Sequence, residues 1–128
     1  MVNRISLVVD DEASVRRFIS ATLQRAGFLT VEAENGIQAL RIVRELGDDI
    51  AVIVSDIQMP NGDGLTLARA VRQASPTVPI ILVSGCNEPD GDYAFFLRKP
   101  FQPSALLDAV RSLVAVGVTA VPVGDGSS

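Results

Sequence analysis

The stretch "VIVSDIQMPNGDGLTLARAVR" (residues 52–72) decides how this chain is read. Its first four residues are apolar or small, with the β-branched bias of a buried strand. The run stops at a single acid, Asp56, and a loop rich in Pro, Asn and Gly leads into a segment with helical periodicity. A buried charge is costly unless it is paired or holds a metal. The sequence should therefore contain partners for Asp56.

Working outward, short apolar runs alternate with amphipathic segments, the pattern of α/β units around a parallel sheet. Five runs read as strands: Ile5–Val9, Phe28–Glu32, Ala51–Ser55, Pro79–Ser84 and Ala94–Arg98. "ISLVV", "AVIVS" and "PIILVS" are apolar at nearly every position, which predicts strands covered on both faces. Val15, Phe18, Ile19, Leu23 and Ala26 recur at helical spacing before Gly27. Ile37, Leu40, Val43 and Leu46 do the same between the candidate N-cap Asn35 and Gly47. A third helix over Leu65–Gln73 buries Leu67, Ala68 and Val71. The last begins at Pro103, a residue favoured in a first turn, and buries Leu106, Leu107, Val110, Leu113 and Val114. From Gly117 the composition changes to "GVTAVPVGDGSS", which predicts a flexible tail or the start of a linker over 117–128 after a domain spanning 1–116.

Composition narrows the functions available. With 128 residues the chain is the size of one domain, and 48% apolar against 20% charged residues suits a folded core. A net charge of −4 with no basic run argues against direct nucleic-acid binding. The absence of histidine excludes His-based triads, His metal sites and a phosphohistidine on this chain. One cysteine, Cys86, forms neither an internal disulfide nor a zinc site. The N-terminus turns acidic too early for a signal peptide and no stretch approaches 18 uninterrupted apolar residues, so the expectation is a cytoplasmic protein without a membrane span.

In open parallel sheets ligands bind beyond the carboxyl ends of the strands. At those ends stand Asp10, Asp11 and Glu12, then Asp56, Ser84 with Gly85, and Lys99 with Pro100. Carboxylates about 4 Å apart repel by roughly 4 kcal/mol per pair at an effective dielectric of 20. A hard divalent cation relieves this repulsion, and Mg²⁺ suits a few carboxylates with waters and a phosphate. One carboxylate then attacks phosphorus to form an aspartyl phosphate. The metal and Lys99 offset charge on the transferring group, and Ser84 hydrogen-bonds a phosphoryl oxygen. On this reading Asp56 is the nucleophile.

"VVDDE", "VSDIQMPNGDGL", "ILVSG" and "LRKPF" occur in the order and strand context of response-regulator receiver domains of two-component phosphorelays, and the chain resembles them over residues 4–116. The resemblance implies a doubly wound, flavodoxin-like five-stranded parallel sheet of order 2-1-3-4-5. It implies Asp56 as phosphoacceptor and Asp10 and Asp11 as the acidic pair, with Asp11 a direct Mg²⁺ ligand and Asp10 acting partly through water. The backbone carbonyl of Gln58 would complete the protein's share of the coordination. Ser84 would be the switch hydroxyl, Phe96 the aromatic switch position and Lys99 the phosphate-contacting lysine, followed by a cis bond to Pro100. Gln58 and Cys86 occupy positions with which receivers tune phosphoryl lifetime. The implied role is a signalling phosphoacceptor, not an enzyme in the ordinary sense. Its partner would be a histidine kinase or histidine phosphotransfer protein, and it would be a monomer or weak dimer.

One departure from the family pattern stands out. Only nine residues, Gly85–Tyr93 ("GCNEPDGDY"), separate the fourth and fifth strands, whereas a parallel crossover normally takes a dozen or more. The family's fourth helix is therefore expected to be truncated or absent, and the output surface altered. Among rival readings, a dehalogenase-type aspartyl phosphatase needs Asp-x-Asp after its strand, and the chain has Asp56-Ile57-Gln58. A flavodoxin-like cofactor binder needs a Ser/Thr- or Gly-rich first loop, where this one is acidic. A degenerate receiver acting as a phosphorylation-independent docking module is the remaining alternative.

Overall fold

The computed structural model describes residues 5–60 and 62–118, with side chains through Val114. Strands β1 (Ile5–Val9), β2 (Leu29–Ala33), β3 (Ile50–Asp56), β4 (Ile80–Ser84) and β5 (Phe95–Arg98) form one sheet of order β2-β1-β3-β4-β5. All four pairings are parallel. Helices α1 (Ala13–Arg25), α2 (Gly36–Leu46), α3 (Gly64–Ala74) and α4 (Pro103–Val118) connect or follow the strands. This is the doubly wound, flavodoxin-like topology expected from the alternating pattern, with strand boundaries shifted by at most one residue.

The continuous apolar runs lie where burial demands them. β1, β3 and β4 occupy the middle of the sheet and are buried almost throughout, whereas the edge strands β2 and β5 are part-exposed. Because side chains alternate along a strand, the central strands feed two cores. Leu7, Val9, Ile53 and Leu82 pack toward Ala39 and Val43 of α2 and Leu67, Ala68 and Val71 of α3. Val8, Val52, Val54, Ile81 and Val83 pack toward Ile19 and Leu23 of α1 and Leu106, Ala109 and Val110 of α4. Full burial of each such side chain stabilises the fold by about 1.5–3 kcal/mol, enough in sum to fix which sheet face each helix covers.

Local chemistry sets the helix starts. Asn35 caps α2 by accepting the Gln38 N–H at 2.8 Å, and Asp63 caps α3 by accepting from Thr66, also at 2.8 Å. The Thr66 backbone N–H holds the Asp63 carboxyl below the usual carboxylate range.

Several details differ from the sequence reading. Phe18 and Ile37, counted in the apolar stripes of α1 and α2, are 44% and 63% exposed. Leu107, Leu113 and Val114 are only partly buried beside Leu106 and Val110. A one-turn 3₁₀ segment at Gly47–Asp49 precedes β3. The shortened crossover holds: residues 85–94 contain no helix between β4 and β5. α4 continues through Gly117 to Val118, and the rest of the expected tail lies outside the described residues. Among the described residues no helix is long and apolar enough to cross a membrane.

Candidate functional site

The parallel sheet delivers the strand-end residues to a single edge. Asp10 directly follows β1 and is fully buried, and Asp56 is the last residue of β3, 9% exposed. The two strands are paired from Ser6–Val52 to Val9–Ser55, so both acids leave the sheet side by side. Asp11 comes next, on the exposed turn into α1. Each of Asp10, Asp11 and Asp56 offers a carboxylate oxygen within 4.8 Å of the others.

Lys99, just past β5, extends its ammonium into this cluster. Nζ lies 3.4 Å from Asp56 Oδ1 and 3.5 Å from Asp10 Oδ2, long for hydrogen bonds but close for ion pairs. The Lys99 N–H donates to Ser84 O at 2.8 Å, which ties the lysine's backbone to the tip of β4. The Lys99–Pro100 bond is cis, as the family resemblance implied.

The electrostatics of the cluster are unbalanced. Burial pushes the Asp56 carboxyl above the ordinary aspartate range; Lys99 opposes this, and the Asp10 and Asp11 charges reinforce it. Three carboxylates against one ammonium leave two negative charges uncompensated. All the clustered donors are hard oxygens, and the chain has no histidine to offer a softer nitrogen. That donor set and charge fit a hard divalent cation, and the cluster can hold a metal ion.

The other expected residues surround this center. Ser84 is buried at the end of β4, where its Oγ accepts the Cys86 N–H at 3.0 Å; its hydrogen bond goes to the crossover and not to the carboxylates. A Cβ on Gly85 would meet nothing within 4 Å, so the approach beside Ser84 is open. Phe96 is half-buried against the α2–α3 core, two strand positions before Arg98. The Gln58 side chain is exposed and donates through Nε2 to Cys86 Sγ at 3.3 Å.

Two features of the site were not anticipated. Gly64 starts α3 directly behind the acid: a Cβ there would lie 2.5 Å from Asp56 O and 2.9 Å from Ile57 Cα. The glycine-spaced "NGDG" was the available signal, but a local motif cannot show which backbone it approaches. An apolar concavity of about 550 Å³ lies beside Lys99, lined by Ser14, Val15, Phe18, Lys99, Pro100 and Phe101. The Phe18 and Phe101 rings stand 6.1 Å apart at its wall, so Phe18 lines this open concavity.

Comparison with known proteins agrees with this fold. The response regulator receiver domain family matches residues 6–111. The chain is 38% identical over 115 residues to the sensor kinase CckA of Brucella abortus (strain 2308), covering 84% of this chain and 12% of that protein. It is 32% identical over 123 residues to the phosphate regulon transcriptional regulatory protein PhoB of Pseudomonas aeruginosa, covering 89% of this chain and 53% of that protein. The crystal structure of the receiver domain from the hybrid histidine kinase CckA superposes with a TM-score of 0.77 at 32% identity, covering 86% of this chain and 98% of that one. The chain belongs to the response regulator receiver domain family, the signalling phosphoacceptor domains of two-component systems. It spans about half of PhoB and a small part of CckA.

Proposed function

We propose that this domain accepts a phosphoryl group on Asp56 from a phosphohistidine of a histidine kinase or histidine phosphotransfer protein, in an Mg²⁺-dependent reaction that switches its interactions with an effector. The observation that carries the reading is the cluster of Asp10, Asp11 and Asp56 within 4.8 Å, with the Lys99 ammonium on two of its members. Asp11, Asp56 and the Gln58 carbonyl would hold the ion directly, with Asp10 partly through water. Mg²⁺ bound there would offset charge on the phosphoryl oxygens.

The chain's own groups carry the remaining steps. An Asp56 carboxylate oxygen attacks phosphorus; the new O–P bond forms as the N–P bond of the donor breaks and its electron pair returns to the imidazole. Lys99 offsets negative charge on the transferring group. The Ser84 hydroxyl donates to a phosphoryl oxygen once it turns from Cys86 toward Asp56, and Phe96 moves into the space this opens. The apolar concavity beside Lys99 supports access for a protein donor, because it places exposed Phe18 and partly buried Phe101 beside the site. We propose that the receiver unit ends near residue 116, with α4 running two residues further and a tail or linker after it.

The test is direct labelling. With Mg²⁺ and a small acyl phosphate, the wild type should gain one phosphoryl group labile to hydroxylamine, and Asp56→Asn should gain none. Equal labelling of the variant would refute the nucleophile, and no labelling of the wild type would favor a phosphorylation-independent docking module.

A further inference from the structure

We infer that Arg16 is a positioning residue that aims the Asp11 carboxylate into the acidic cluster, acting through the backbone and not through its charge. The inference rests on the proposed metal-binding role of Asp11. Arg16 lies in the first turns of α1, with its side chain only 14% exposed. Its Nη1 donates to the Asp10 carbonyl oxygen at 2.8 Å. Its Nε donates to Glu32 Oε1 at 2.9 Å, and Glu32 stands on β2. One planar guanidinium thus joins the neighboring strand to the peptide between Asp10 and Asp11. The Asp10 N–H donates to Ala33 O at 3.1 Å, so the same turn is anchored to β2 a second time.

The two acids of the pair differ in how they are held. The Asp10 side chain has its own restraints: Oδ1 accepts the Glu12 N–H at 2.9 Å, and Oδ2 faces Lys99. The Asp11 carboxylate is exposed and, among the described residues, makes no hydrogen bond or ion pair of its own. Its direction is therefore inherited from the Asp10–Asp11 peptide, whose carbonyl Arg16 grips. Partners in two directions require the fixed fork of a guanidinium, and a lysine in its place reaches one of them at most. Glu32 also cancels the Arg16 charge locally, so the clamp adds little repulsion toward a cation.

Charge and position predict opposite signs, which makes the inference testable. Removing a cation beside a metal site should tighten Mg²⁺ binding if Arg16 acts through its charge. If it aims Asp11, the same removal should weaken binding, by about tenfold on the scale of groups that orient metal ligands. Mg²⁺ affinity would be read from amide chemical shifts during titration of wild type, Arg16→Met and Arg16→Lys. The expected order is wild type tightest, Arg16→Lys severalfold weaker despite its retained charge, and Arg16→Met weakest. Should Arg16→Met fail to fold, Arg16→Lys against wild type decides alone. Wild-type affinity or better in the folded variants overturns the positioning role while leaving the metal site standing. A wild type that binds no Mg²⁺ overturns both.

Discussion

The acidic edge and the β4–β5 crossover lie next to each other but are built by opposite means. Asp10 and Asp56 leave central strands whose side chains are buried on both faces, and Gly64 packs against the Asp56 backbone with no room for a methyl group. Residues 85–93 are mostly exposed and contain no helix. Within them, among the described residues, only Cys86 donates its amide in a hydrogen bond, and the acceptor is Ser84 Oγ. The rest of the crossover is held by side chains: Arg72–Asp92 at 2.7 Å, Arg98–Asn87 at 3.0 Å, and the Tyr93 hydroxyl on Glu88 and Pro89 O. Exposed pairs of this kind contribute little stability. The geometry of the chemistry is thus set by the core, whereas the neighboring surface is cheap to rearrange. The hydroxyl proposed to sense phosphorylation is also the one that holds the crossover's bonded amide.

The largest expected effect lies on the rigid side. Mg²⁺ should raise the melting temperature of the wild type through linkage, and Asp11→Ala should remove most of that gain while leaving the metal-free fold intact. An Mg²⁺ titration without effect on the wild type would count against the cluster as a metal site.

Paired glycine substitutions compare the two regions directly. Gly64→Ala places a methyl group against Asp56 O and Ile57 Cα, backbone atoms that cannot step aside, and should cost about 2–3 kcal/mol by denaturant unfolding. Gly85→Ala meets nothing within 4 Å and should leave stability unchanged within about 0.5 kcal/mol. Similar costs at both positions would break the contrast.

A smaller and opposite effect comes from the charge imbalance. Burial raises the folded-state pKa of Asp56 above its unfolded value, so the native state holds the proton more tightly. The stability this contributes is complete below the unfolded value and is lost as pH rises through the folded one. In the metal-free protein at neutral pH, Asp56→Asn should therefore raise the melting temperature. The advantage should shrink on acidification toward pH 4 and on adding Mg²⁺. A variant less stable than wild type at neutral pH without metal would contradict the imbalance.

Much of this was legible in the sequence because it depends on order along the chain. Strand runs, helix caps and the strand-end positions of Asp10, Asp11, Asp56, Ser84 and Lys99 emerge once a parallel sheet is assumed, since such a sheet brings every carboxyl end to one edge. Counting residues also sufficed to exclude a full helix between Ser84 and Lys99. The features that escaped depend on contacts between distant segments. Gly64 reads as one more loop glycine until α3 is docked behind β3. The pairings Arg16–Glu32 and Gln58–Cys86 join residues 16 and 28 positions apart, with no local pattern to mark them. Phe18 obeys the helical period, but it falls at the margin of the stripe and turns toward Phe101.

Amide hydrogen exchange with and without beryllofluoride as a phosphoryl mimic at Asp56 shows whether the rigid acidic edge drives the pliable crossover. In the free protein with Mg²⁺, amides of β1 and β3 should exchange slowly and those of Gly85–Tyr93 quickly. The mimic should leave the strands unchanged and slow the crossover, as Ser84 turns to the phosphoryl oxygens and the segment orders beside β5. A crossover already protected in the free protein and unchanged by the mimic would show that the acidic edge does not drive it.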